Sequence, residues 1–419
     1  MTLVPKGAKD PQRRVRTAVV LFLLLCLFYL YCPPFVPPDW TNDLRNGRPA
    51  PERHEKAKGD FTYHSRFREH IDHDFEARLE RALTQIERTA EPQGEGGTMK
   101  IWQTWRNLVP PKDRENDMLL WAEFNPGWEY TLVTDDLANE FVDFVLHDIP
   151  SLSYTWRTYP SPILRADLLR YLLLWYYGGF YADIDVHPCM SISACGSLVP
   201  FFPEADHLSS SHNISLVVGI EIDEPYASAD MKKAWHWSRS YGFLQYTLFA
   251  PRRFSPILRR AIVRALAHSE RHNKEKRRWW RGAKYGEEDI LETTGPGMFT
   301  DALLDVLSET LPPSHILAQI SSLMDRNAST EQSAQSFDSP QDTRVTWAPF
   351  HRLQKPLWID AREAEGIADS MGGLVVLPLN VWANGQRHSG VGSFFSEEAC
   401  VNHWFGRTWK KGWWEYLVG

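Results

Sequence analysis

At 419 residues, with 43% hydrophobic and 13% aromatic residues, the chain can bury one large core or two ordinary ones and is not an intrinsically disordered polymer. A formal net charge of -7 and the lack of any long Lys/Arg run count against nucleic acid as a partner, because phosphate binding needs a clustered positive field. An anionic substrate must therefore be held by a local site.

Thr17 to Cys32 form an almost unbroken apolar run, preceded by Lys6, Lys9, Arg13, Arg14 and Arg16 and closed by Pro33-Pro34. The positive flank predicts a cytosolic tail over residues 1–16. The run would rise about 24 Å as a helix, short for a ~30 Å hydrocarbon core but closer to the thinner membranes of early secretion. No small-x-small pattern follows it, so an uncleaved signal anchor over 17–32 is expected rather than a cleaved signal peptide. Everything beyond then lies in a lumen, where disulfides and N-glycans form. Cys189, Cys195 and Cys400 would be luminal; either Cys189 pairs with Cys195 or all three stay as buried thiols. The sequons at Asn213 and Asn327 fit such a chain but are common by chance.

Residues 33–97 read as a stem: polar, Pro-rich at the start, with one charged helix expected over Phe67 to Thr89 and a Gly-rich linker from Glu91 to Gly97. The catalytic domain is expected over 98–419. Short apolar runs at Lys100 to Thr104, Glu129 to Val133, Phe180 to Val186, Leu216 to Ile220 and Val375 to Leu377 predict strands, with helices between them. This alternation predicts a single α/β domain with a mostly parallel central sheet, whose ligands gather at the carboxyl ends of the strands. Ser321 to Asp342, rich in Ser, Gln, Asp and Thr, reads as a loop.

Ser161-Pro162 is a helix start, with a capping residue before a Pro at the first position, and Gly178-Gly179 ends that helix after Tyr177. Ile163, Leu164, Leu168, Leu172 and Trp175 form an apolar stripe, with Asp167, Arg170 and Tyr171 on a neighbouring face. The run Phe180 to Val186 then alternates, so one strand would turn Asp183 and Asp185 away from its apolar side. Strands disfavour Asp and like charges repel, so a divalent cation with oxygen ligands is the economical compensation. Such an ion could neutralise a diphosphate leaving group.

The sequence resembles glycosyltransferase family 32 of fungi, particularly the initiation-specific alpha-1,6-mannosyltransferases. The motifs are Ile101-Trp102-Gln103-Thr104-Trp105, Asn125-Pro126-Gly127-Trp128-Glu129-Tyr130, Arg165 to Tyr171 running into Gly178 to Asp185, Gly219-Ile220-Glu221, Thr294 to Gly297 and His403-Trp404-Phe405. Arg407-Thr408 depart from the Gly-Ser pair expected before Trp409-Lys410. The resemblance implies a GT-A-like fold, Mn or another divalent cation at Asp183-Ile184-Asp185, GDP-mannose as donor, an N-linked high-mannose glycan on glycoproteins as acceptor, and retention at the anomeric carbon. It implies a Golgi membrane location with the catalytic domain luminal, and a mannosyltransferase complex among the partners. It places Asp183, Asp185 and Arg170 in catalysis, and Asp183, Asp185 and His403 around the metal. Ile101, Trp102, Gln103, Asp167, Arg170, Tyr181 and Asp183 would bind the donor.

Two alternatives share the donor motif: an inositol phosphoceramide mannosyltransferase, or a transferase using another nucleotide sugar. From a different class comes a non-catalytic, anchored glycan-binding or complex subunit, against which the intact aspartates speak. Trp404, Trp409, Trp413, Trp414 and Tyr416 crowd the C-terminus and read as core before sugar platform.

Overall fold

The computed structural model describes residues 59–404 apart from 63–64, 66, 69–70, 93–97, 111–113, 203–212, 236, 277–282, 330–343 and 365–370. All of them belong to one compact unit, 54–419. The expected cytosolic tail and anchor, the start of the stem, and Trp409, Trp413, Trp414 and Tyr416 lie outside the described residues. Among those described, no helix is long and apolar enough to cross a membrane.

In chain order the elements are α1 (His73–Thr89), β1 (Lys100–Thr104), α2 (Glu115–Phe124), β2 (Glu129–Val133), α3 (Asp135–Val145), α4 (Pro150–Thr158), α5 (Pro162–Tyr177), β3 (Gly179–Ala182), β4 (Val186–Pro188) and β5 (Leu216–Asp223). There follow α6 (Ala229–Trp235), β6 (Tyr241–Phe243), β7 (Thr247–Ala250), α7 (Pro256–Lys276), α8 (Glu287–Thr293), α9 (Pro296–Thr310), α10 (Ile316–Ser329), β8 (Leu357–Ile359), β9 (Leu374–Leu377), α11 (Leu379–Trp382) and β10 (Val401–His403). The eight-stranded sheet runs β2-β1-β3-β7-β5-β9-β8, with β6 added on β5. Strands β2, β1, β3, β5 and β9 point one way, and β6, β7 and β8 oppose them, so the sheet is mixed with a majority direction. β4 and β10 form a separate antiparallel pair.

The α5 helix is the spine of the unit. Its bounds are those expected, but Leu164 and every residue from Asp167 to Trp175 are buried, so it has no solvent face and the polar residues on it need internal partners. Ser161 occupies the capping position without a side-chain hydrogen bond. At the other end Gly178 and Gly179 take φ of +71° and +98°, and a Cβ on Gly179 would stand 2.5 Å from the Lys100 carbonyl oxygen. Only glycine allows α5 to turn this sharply into β3 beside β1.

Residues placed N-terminal of the catalytic domain by composition are part of the same packing. The helix begins at His73, six residues later than expected, where the Asp72 carboxylate accepts from the Phe75 N–H. Leu79 and Leu83 join the common core with Phe61, and Glu76 pairs with Arg264 of α7 at 3.0 Å. The expected loop from Ser321 is corrected in its first part: α10 continues to Ser329, because Leu317 and Ser321 are buried against the segment leading into Ala348–Phe350. Residues 330–342 of that loop lie outside the described residues.

Candidate active site

The expected single strand from Phe180 to Val186 is two strands. β3 ends at Ala182, Asp183 to Asp185 turn, and the chain leaves along β4. A strand interior disfavours Asp, and the turn separates the two carboxylates instead of stacking both on one face. This turn lies just past the carboxyl end of β3, beside the parallel β1, with β7 antiparallel on the other side. The Asp183 N–H donates to the Tyr246 carbonyl at 2.8 Å, and Gln103 Nε2 donates to the Asp183 carbonyl at 3.0 Å.

Asp183 is held from below. The Tyr181 hydroxyl donates to Asp183 Oδ1 at 2.7 Å, and Arg170 Nη2 is 3.5 Å from the same oxygen. Arg170 also pairs with Asp167 at 2.9 Å, donates to the Gln245 carbonyl at 3.1 Å and lies over the Tyr181 ring. Asp167 accepts further from Gln245 Nε2 at 3.2 Å and Thr294 Oγ1 at 2.9 Å. Burial raises the Asp167 carboxyl to about 6, against the pull of Arg170 and Thr294. Burial likewise raises Asp183, opposed chiefly by Arg170. Arg170 therefore braces Asp183 from Asp167.

Asp185 faces the other way, toward the C-terminal strand. The Trp404 N–H donates to its carbonyl at 2.9 Å, and His403 Nε2 lies 3.1 Å from its Oδ1. The antiparallel register of β10 on β4, with His403 opposite Val186, delivers the imidazole there. Tyr246 stacks on the His403 ring at 4.1 Å. Burial pulls the His403 pKa down, but Asp185, Asp183 and Glu221 together outweigh it and leave the imidazole above its ordinary value.

A disulfide between Cys195 and Cys400 anchors the segment that enters β10. This corrects both expectations for the cysteines, because Cys189 is the free thiol, with its pKa pushed up to about 11 by burial. The Cys189 N–H instead donates to the Cys400 carbonyl at 3.0 Å, so the free cysteine sits beside the bridge in the backbone ladder without joining it.

The structure thus brings Asp183, Asp185, His403, Arg170, Asp167 and Tyr181 into one constellation. Ile101, Trp102 and Gln103, expected beside the donor, lie buried beneath that constellation. Ile101 is a core side chain, Trp102 donates to the Gly178 carbonyl, and Gln103 is buried between Asp183 and the Tyr130 hydroxyl. Gln245 and Tyr246 carry no motif signal, and Thr294 and Glu221 stood in quoted motifs without a role.

For a divalent cation, Asp185 and His403 offer one oxygen and one nitrogen side by side. Asp183 is engaged with Tyr181 and Arg170, and no three acidic, His or Cys side chains converge as a metal cage among the described residues. Asp185 and His403 would hold such an ion in part, and the imidazole would favour Mn-type ions over Mg.

Residues 111–202, which contain α5 and the aspartate turn, match the family described as a glycosyltransferase sugar-binding region containing a DXD motif. The chain is 26% identical over 325 residues to the initiation-specific alpha-1,6-mannosyltransferase of Candida albicans, covering 74% of this chain and 71% of that protein. Over 86 residues it is 36% identical to inositol phosphoceramide mannosyltransferase 3 of Schizosaccharomyces pombe, covering 20% of this chain and 23% of that protein. Among solved structures, PaToxG glycosyltransferase aligns with 63% of this chain and 92% of its own at 16% identity, with a TM-score of 0.30, too slight a likeness to build on. The chain is an enzyme, a glycosyltransferase, whose residues 111–202 carry the DXD-containing sugar-binding region.

Proposed function

We propose that the chain transfers mannose from GDP-mannose to N-linked high-mannose glycans, as a type II Golgi membrane alpha-1,6-mannosyltransferase that retains anomeric configuration. The observation that carries this reading is the pairing of Asp185 with His403 beside the braced Asp183, at the carboxyl ends of the strands. The name of the Candida relative, matched over most of the chain, supports the sugar and the linkage. The Cys195–Cys400 disulfide suits an oxidising lumen, and the apolar run from Thr17 to Cys32 suits an anchor. The GT-A-like fold, the residue 1–16, 17–32 and 33–97 segments, and membership of a mannosyltransferase complex belong to the same reading.

In this reading Asp185 and His403 hold the cation, and Asp183 contacts the cation or the donor ribose. When bound, the cation neutralises charge building on the departing GDP diphosphate. Arg170 and Tyr181 fix Asp183, and Asp167 fixes Arg170, so the carboxylate needs no reorganisation when the donor arrives. Offering the purified luminal part GDP-mannose, UDP-glucose and UDP-galactose, with a high-mannose glycan and Mn, tests it. Transfer from GDP-mannose alone is expected; transfer from a UDP-sugar alone would overturn the donor assignment.

A further inference from the structure

The mechanism above leaves one carboxylate of the site unused. Glu221 lies on β5, whose direction matches β1 and β3, so it stands at the same carboxyl edge of the sheet as the aspartate turn. The β5–β6 register shifts between Ile220, opposite Phe243, and Ile222, opposite Gly242. Glu221 is the extra residue of that bulge, a device that re-aims a side chain beside active sites. It is close enough to His403, Asp183 and Arg170 for their charges to act on it.

Asp183 is held by Tyr181 and Arg170, Asp185 faces His403, and Asp167 has three partners. Glu221, by contrast, makes no hydrogen bond or ion pair among the described residues, although its neighbours include a histidine and an arginine. A partly buried carboxylate without a partner costs stability, which a role toward substrate explains.

We propose that Glu221 is a catalytic carboxylate that touches the transferred sugar rather than the cation. This rests on the reading of the site as one that transfers a sugar from a nucleoside diphosphate. As the bond from the anomeric carbon to the diphosphate breaks, its electron pair leaves with the nucleoside diphosphate, and the carbon becomes electron-poor. In its ionised form Glu221 stabilises that carbon until the acceptor hydroxyl bonds to it. The hydroxyl proton passes to the departing diphosphate oxygen.

The test compares wild type, Glu221→Gln and Asp185→Ala in glycan transfer, with calorimetric binding of GDP and Mn measured on each. Glu221→Gln should lose about 100-fold or more in kcat with the donor KM within about 3-fold. Its GDP and Mn affinities should match wild type, whereas Asp185→Ala should lose them. A Glu221→Gln kcat within about 3-fold of an active wild type overturns this role alone. Loss of Mn binding in Glu221→Gln makes it a cation ligand and also overturns the proposal. A wild type that binds GDP and Mn but transfers no sugar overturns the functional reading and this inference together.

Discussion

Replacing Arg170 by Met removes the guanidinium between two carboxylates while keeping an unbranched side chain in the α5 helix. Arg170 is 6% exposed at its side chain and Asp167 4%, so the pair is a desolvated one. Removing one partner of such a pair typically costs about 3–5 kcal/mol, because the other charge stays buried. Asp167 limits the loss by taking a proton. Its folded pKa is already about 6 with Arg170 present and must rise without it. A carboxyl raised above its unfolded value binds its proton more tightly in the native state, so the variant regains stability as pH falls through that raised pKa. Asp183, 27% exposed, loses its brace but keeps the Tyr181 hydrogen bond. The expectation is a melting temperature roughly 5–10 °C below wild type at neutral pH. That deficit should shrink toward pH 5, and transfer should fall by about 100-fold. Calorimetry across pH on both proteins reads all three. A variant within about 1 kcal/mol of wild type at neutral pH, with a pH-independent deficit, would refute the buried-brace reasoning.

Other perturbations separate packing from chemistry. Cys400→Ser should cost roughly 2–5 kcal/mol and weaken Mn binding, since the bridge closes a 205-residue separation and anchors the strand carrying His403; thermal melts and Mn titration check both. Gly179→Ala forces a Cβ toward the Lys100 carbonyl at positive φ and should cost at least about 1–3 kcal/mol, measured by urea unfolding. His268, buried against Phe67 and donating to the Glu292 carbonyl at 3.0 Å, has its pKa pushed down to about 3 by burial. Between that value and about 6.5 the unfolded chain holds a proton that the native state refuses, so each unit of falling pH removes about 1.4 kcal/mol. The stability advantage of wild type over His268→Asn should narrow by that slope on acidification.

The bounds of β1, β2 and α5 were legible because apolar periodicity, a Pro start and a glycine stop are local signals. Asp183 and Asp185 drew attention because two aspartates in an apolar run conflict with a strand, and Arg170 because it shares a helix face with Asp167. What was not legible depends on contacts distant in sequence. Ile101 to Gln103 alternate as any half-exposed strand would, and only β2 and β3 on either side with layers above and below show that the segment is interior. The partner of Cys195 lies 205 residues along the chain, and Glu221, quoted only as part of a motif, gains a role once the β6 strand reveals the bulge. His403 stood at the far end of the chain from Asp185, and the resemblance, rather than any spacing, pointed to it.

In the proposed reading Asp185 holds a cation that the sugar transfer requires. Mannose transfer from GDP-mannose by wild type and by Asp185→Ala, each with Mn and with EDTA, tests it most directly. Transfer only by wild type with Mn is expected; undiminished transfer in EDTA, or by Asp185→Ala, would contradict that role for Asp185.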